Sequence, residues 1–185
     1  MATKYEFNNC DLVGGGSLFI EFFLGQSFTV GTTGTNESFN IYSIKLKLGR
    51  VGNPGIITIA LRAVDESGFP TGDDLSTGTT NGDTLSIYGE IREINMSSYE
   101  LQASTKYSIL FKSEFSSEEN NCILYINSEG STYNGGTMIL DDDGYWIDLN
   151  FDTWFEIWGT AISTGTNCQI NIGDGLNTFF TEYVE

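Results

Sequence analysis

Two acidic clusters and a late run of aromatic residues are the parts of this sequence whose types and spacing could do chemistry. Asp141-Asp142-Asp143 stands directly before Gly144, and Asp65-Glu66 is followed by Asp73-Asp74. Loops dense in Asp, Asn and Gly supply the roughly six to eight carboxylate and carbonyl oxygens that Ca2+ gathers around itself. Asp65, Asp73, Asp74, Asp141, Asp142 and Asp143 are therefore the candidate metal ligands, with calcium a stabilising ion and no cofactor required. Neither cluster has the spacing of an EF-hand, because Gly144 follows Asp141 too early and no later Glu closes the loop. A solvated hairpin turn and an ordinary acidic loop are the plainer expectations.

The aromatic residues Tyr125, Tyr133, Tyr145, Trp146, Trp154 and Trp158 fall in the last third of the chain. Exposed Trp and Tyr rings stack on sugar rings or anchor protein interfaces, whereas buried ones fill a core. In Trp154-Phe155-Glu156-Ile157-Trp158, strand alternation puts Phe155 and Ile157 on one face and Trp154, Glu156 and Trp158 on the other. Tyr145, Trp146, Trp154 and Trp158 are accordingly the candidate platform for a glycan or a protein partner.

The sequence contains no His. That excludes every Ser-His-Asp and Cys-His arrangement and every His-ligated metal centre. Cys122 lies in an apolar run, where an inert core thiol is expected. Cys10, Cys122 and Cys168 form no CxxC pair and give no disulfide framework, although one bridge is open to them. Glu90, Glu93, Asp148, Asp152 and Glu156 are strand-associated carboxylates of the kind a glycosidase pairs, but any acidic sandwich offers such pairs. The expectation is a protein without enzymatic activity.

Charge narrows the partners. The formal net charge is -17, from 25 acidic against 8 basic residues, and no Lys or Arg follows Lys112. A surface so negative repels phosphate backbones and anionic lipids, so neither nucleic acid nor membrane is an expected partner. No stretch approaches the about 20 apolar residues of a membrane span, and the opening Met1 to Asn9 does not read as a signal peptide.

The elements that must carry these residues read as strands. Ile44, Leu46 and Leu48 alternate with Lys45 and Lys47; Ile57, Ile59 and Leu61 alternate with Thr58, Ala60 and Arg62; Tyr107, Ile109 and Phe111 alternate with Ser108, Leu110 and Lys112. Further strands are expected at 18–24, 26–30, 87–96, 122–127, 137–140, 145–150 and 154–161. Asn53-Pro54-Gly55 has the chemistry of a type II turn, and Asp143-Gly144 that of a type I′ hairpin. The segment from Asp65 to Asp83 reads as a long connection. The fold expected is all-β: a jelly-roll-like antiparallel β-sandwich with a short C-terminal β-hairpin appendage. Its divisions are an N-terminal arm over 1–16, the sandwich over 17–161, and a linker with an assembly tail over 162–185. In that tail Ile170 and Ile172 alternate, Gly173-Asp174-Gly175 turns, and Phe179 and Phe180 belong to the return. A lone hairpin is marginal in water, so the tail should pair with another chain or fold back.

The run Ala63 to Ser76, the segment Leu101-Gln102-Ala103-Ser104-Thr105-Lys106-Tyr107, the opening Gly25-Gln26-Ser27-Phe28-Thr29 and the closing Phe155-Glu156-Ile157-Trp158-Gly159 together resemble the choice-of-anchor R type of β-sandwich domain. The resemblance covers about Gly25 to Ala161. It implies a display or binding module, similar to the jelly rolls of carbohydrate-binding modules, of the sort found on cell surfaces and in tailed-virus structural proteins. It brings no catalytic residues. Ile170-Asn171-Ile172-Gly173-Asp174 resembles short C-terminal repeats of phage structural proteins. The functional expectation is a virion surface protein, a capsid decoration or fibre component, made in the host cytoplasm without a signal peptide. It would assemble with copies of itself or with a viral shell or tail protein through its terminal segments. A carbohydrate-binding module, with glycans as partners and calcium as a structural ion, is the alternative.

Overall fold

The computed structural model describes residues 1–9, 16–19, 24–114, 117–127 and 129–162. In chain order its strands are β1 (Thr3–Asn8), β2 (Gly16–Phe19), β3 (Leu24–Thr29), β4 (Phe39–Val51), β5 (Ile56–Val64), β6 (Pro70–Asn81) and β7 (Glu90–Asn95). They continue with β8 (Glu100–Leu101), β9 (Lys106–Ser113), β10 (Asn121–Asn127), β11 (Met138–Asp142), β12 (Tyr145–Asp148), β13 (Asp152–Thr153) and β14 (Phe155–Ala161). Among the described residues, the helical content is a single 3-10 turn at Gly82–Thr84.

Two antiparallel sheets pack face to face as a sandwich. The first runs β1-β14-β4-β10-β13, with β2 added on β10 and with β7 and β8 on the free side of β4; the second runs β12-β11-β3-β9-β5-β6. Period-two patterning decides which face is inside. Ile44, Leu46 and Leu48 of β4, Ile57, Ile59 and Leu61 of β5, and Ile109 and Phe111 of β9 are all at 0% exposure. Their alternating neighbours face out, as the sequence pattern requires. Rings link the sheets: Phe28 of β3 lies 6.2 Å from Phe155 of β14, and Tyr133 meets Phe155 edge-on at 5.3 Å.

The turns follow their local chemistry. Gly55 takes a φ of 74°, the left-handed position after Pro54, while Asp143 and Gly144 take 52° and 91°. Two consecutive positive φ values match the I′ geometry whose twist suits a hairpin, and this turn joins β11 to β12 with Asp142 opposite Tyr145.

Three expectations change. The segment expected as a long connection between Asp65 and Asp83 is mostly β6, hydrogen-bonded to β5 from Ile56↔Asn81 to Val64↔Pro70. A tight turn replaces the loop: the Asp65 carboxylate accepts from Ser67 N and Phe69 N at 2.9 and 3.0 Å. The run from Leu75 through Thr80 is rich in Ser and Thr, which suit an edge strand. The N-terminal arm contains β1, which pairs with β14, so residues 3–8 belong to the first sheet. The strand expected from Ile87 begins only at Glu90, because a turn at Ser86 to Gly89 precedes it, with Gly89 at φ 82°. The C-terminal hairpin, with Ile170, Ile172, Phe179 and Phe180, lies outside the described residues.

Candidate interaction surface

The first sheet turns an outer face to solvent on which lysines and rings interlock. Alternation in β14 buries Phe155 and Ile157 and leaves Glu156 and Trp158 outside. In register, Trp158 stands opposite Ser43 of β4 and Lys4 of β1, and Glu156 stands opposite Lys45 and Phe7. The contacts follow. Glu156 accepts from Trp158 Nε1 at 2.9 Å and pairs with Lys4 Nζ at 3.1 Å. Lys45 Nζ sits 4.3 Å above the Trp158 ring, and Lys4 Nζ sits 4.2 Å from the Phe7 ring. A further rung sets Lys47 Nζ 5.2 Å from the Tyr125 ring of β10. Ammonium groups over ring faces are attracted by the ring quadrupole, by about 0.5–1 kcal/mol at exposed sites.

A β-bulge enlarges this face. Between Trp158 and Gly159 the register with β4 shifts by one residue, which leaves Tyr42 without a partner in β14 and 50% exposed. Such insertions re-aim a side chain. Gly159 is obligatory there, since a Cβ would collide with the Phe39 ring. Beyond β4, Ile91 of β7 lies opposite Lys47 and is 57% exposed. Tyr88 stands exposed next to Gly89, whose missing Cβ makes room for the Tyr125 ring.

The residues singled out from sequence divide between the two sheets. Trp154 and Trp158 belong to the first sheet's run, whereas Tyr145 and Trp146 lie on β12 at the far edge of the second. They form no common platform, and one face of the Trp158 ring is taken by Lys45. Asp141 accepts from Gly144 N at 2.7 Å and closes its own hairpin. Asp65 caps its turn, and Asp74 pairs with Arg62 at 2.6 Å. Among the described residues no three acids or cysteines come close enough together to hold a metal ion. Burial pushes the Cys122 thiol up to about 12, so it stays protonated; Cys10 and Cys168 lie outside the described residues.

Two acids that no cluster announced are the buried ones. A bulge between Lys4 and Glu6 buries both Tyr5, which stacks on Phe39 at 4.0 Å, and Glu6. Glu6 Oε2 accepts from Gly31 N at 2.7 Å and Thr32 N at 3.0 Å. Its Oε1 accepts from Thr33 N and the Thr33 hydroxyl, and from Tyr133 Oη at 2.9 Å. Asp152 Oδ2 accepts from Ser131 Oγ, Thr132 N and Tyr133 N, and Oδ1 from Gln26 Nε2. Burial raises the Asp152 carboxyl, and the Tyr133 and Thr132 amides oppose that shift. Burial, reinforced by the Glu6 charge, raises the Tyr133 phenol, which stays neutral and donates. Both carboxylates are filled with backbone and side-chain donors, which suits clamping loops rather than proton transfer.

The sequence pattern placed Lys45 and Lys47 on one outer face; missing was the register that sets them over rings from β14 and β10, a non-local fact. No protein-family model matches the chain, and no curated protein sequence matches it. The reading of the surface therefore rests on its own geometry.

Proposed function

We propose that this chain is a non-enzymatic structural protein of a virus-particle surface, a capsid decoration or fibre component, and that it meets copies of itself or a shell protein through the outer face of its first sheet. The observation that carries this reading is the lattice of Lys4, Phe7, Lys45, Glu156 and Trp158, extended by Tyr42 and Ile91. Aromatic residues held rigid by neighbours suit an interface, because Trp and Tyr are enriched at hot spots and little side-chain freedom remains to be lost on binding.

Edge protection supports the same reading. On β6, an edge strand, Thr77 has both backbone groups engaged: its O accepts from Ser97 N at 2.8 Å, and its N–H donates to Ser97 Oγ at 2.9 Å. At that point the β6 edge is capped, which discourages indiscriminate strand pairing there. The lysines also suit the acidic surface that a second copy of a chain at -17 presents. The resemblance to choice-of-anchor R sandwiches supplies the setting on a particle.

The test is sedimentation of the full chain, alone and with particles from its source, for the natural sequence and for Tyr42→Asp with Ile91→Asp. Both residues are half or more exposed, so the pair should leave the melting temperature in place while dissociating oligomers or releasing the protein from particles. A natural chain that stays monomeric at every concentration and binds no particle would sink the proposal.

A further inference from the structure

A second surface, on the opposite side of the sandwich, has a different chemistry. The outward rows of β5 and β9, with Asp74 of β6, line a trough of about 460 Å3: Ile56, Thr58, Ala60, Arg62, Asp74, Leu110, Lys112 and Glu114. Its size falls within the range of small-ligand sites, roughly 300–1,000 Å3.

The floor is apolar and rigid. Leu110 and Ala60 are cross-strand partners, 3% and 8% exposed, at the centre of a four-strand stretch β3-β9-β5-β6. Gly25 of β3 contributes to that closeness, since a Cβ there would come within 2.8 Å of the Leu110 side chain. The walls are polar and balanced. Arg62 and Lys112 bring two positive charges, and Asp74 and Glu114 two negative ones, so the lining sums to zero on a chain at -17. Arg62 Nε donates to Asp74 Oδ1 at 2.6 Å, and Glu114 Oε2 accepts from Ile56 N at 3.0 Å. Beside the trough, opposite Arg62 in register, the Ser108 hydroxyl is fully buried and has no hydrogen-bond partner.

We infer that this trough binds a neutral, polyhydroxylated ring, a pyranose of a mono- or disaccharide. A charged ligand would unbalance the lining. An apolar one would take the Arg62–Asp74 pair, the Glu114 carboxylate and the Thr58 hydroxyl out of water while adding no hydrogen bond to any of them, which is costly. A sugar presents both things the trough offers to match. Its C–H face lies on Ala60, Leu110 and Ile56, and a vicinal diol both donates and accepts, as the Arg62–Asp74 pair does. This site lies on the opposite sheet from the lysine–aromatic face and stands whether or not that face binds a partner.

The experiment is a 1H–15N NMR titration of the full chain with cellobiose, maltose, lactose and mannobiose, and with glucuronate and glucosamine as charged controls. A neutral sugar should shift the amide signals of Thr58, Ala60 and Leu110. Arg62→Ala should weaken binding by about tenfold or more (about 1.4 kcal/mol). Ala60→Trp should abolish it by filling the floor, and Trp158→Ala should leave it unchanged. Thr58→Val, close in shape and lacking only the hydroxyl, replaces any of these variants that fails to fold and should also weaken binding. No shift with any neutral sugar would overturn the proposal, as would shifts centred on Trp158, undiminished binding by Ala60→Trp, or a response to the charged sugars alone.

Discussion

The buried acids and the clustered acids of this chain are chemically the same and structurally opposite. Glu6 and Asp152 are each at 0% exposure and isolated in sequence, yet each gathers backbone amides from a loop it does not belong to. Asp142 and Asp143, in the densest acidic run, are exposed at a hairpin tip. The difference teaches that a carboxylate's structural weight is set by the donors brought to it, and that those donors come from register rather than from sequence neighbours. Glu6 fixes residues 31–33 because a bulge in β1 turns it inward; Asp152 fixes residues 131–133 from the first position of β13. Tyr133 joins the two, giving its N–H to Asp152 and its hydroxyl to Glu6.

The sharpest way to break the comparison is Glu6→Ala. It takes the acceptor from three backbone N–H groups, the Thr33 hydroxyl and the Tyr133 hydroxyl; buried donors left unpaired cost about 1–3 kcal/mol each, and water reaches the exposed Thr32 and Thr33. Loop relaxation recovers part of this, so a loss of about 3 kcal/mol or more in chemical denaturation is expected. A loss below about 1 kcal/mol would mean that the clamp adds nothing.

Asp152→Asn comes next, at about 2 kcal/mol, since the amide turns a donor toward either Gln26 Nε2 or the loop N–H groups. It also has a pH signature. Burial raises the native Asp152 carboxyl, so the folded chain holds this proton more tightly than the unfolded one. The group's contribution to stability therefore falls as pH rises from the ordinary carboxylate range through the raised native value, and recovers on acidification. The stability advantage of the natural chain over Asp152→Asn should grow as pH is lowered through that window; a difference flat with pH would refute the assignment. Tyr133→Phe, which keeps the ring against Phe155 and removes the hydroxyl's bond to Glu6 and its longer contacts with the Thr29 backbone, should cost about 1 kcal/mol.

The sandwich could be read from the sequence because it depends on local periodicity. Ile44-Lys45-Leu46-Lys47-Leu48 states its inner and outer faces by itself, and Asp143-Gly144 states its own turn. Where the reading failed, tertiary context decided. Nothing within Asp65 to Asp83 says that β5 waits to pair with it, and the short, polar-flanked Thr3 to Asn8 shows its strand character only beside β14. The candidate surfaces were half visible for the same reason. Trp158 and Glu156 were placed together on one face by alternation, but their partners Lys4 and Lys45 come from strands more than a hundred residues away. The trough could not be found, because its residues look unremarkable until β5, β6 and β9 lie side by side.

The smallest effect completes the comparison, and it is a prediction of near silence. Asp142→Ala touches no ladder partner that packing depends on, and Asp143→Gly relieves a non-glycine residue held at φ 52°. Both side chains stand in water, where a carboxylate without a fixed donor contributes little, and surface substitutions of this kind stay within about ±0.5 kcal/mol. Asp143→Gly should fall on the stabilising side, because the left-handed conformation suits glycine better than aspartate. Ca2+ should leave the melting temperatures of both variants and of the natural chain equally unmoved, as expected of acids that neither gather donors nor share an ion. A calcium-dependent rise in the natural chain that is lost in Asp142→Ala would show that the hairpin tip, and not only the buried pair, uses its carboxylates.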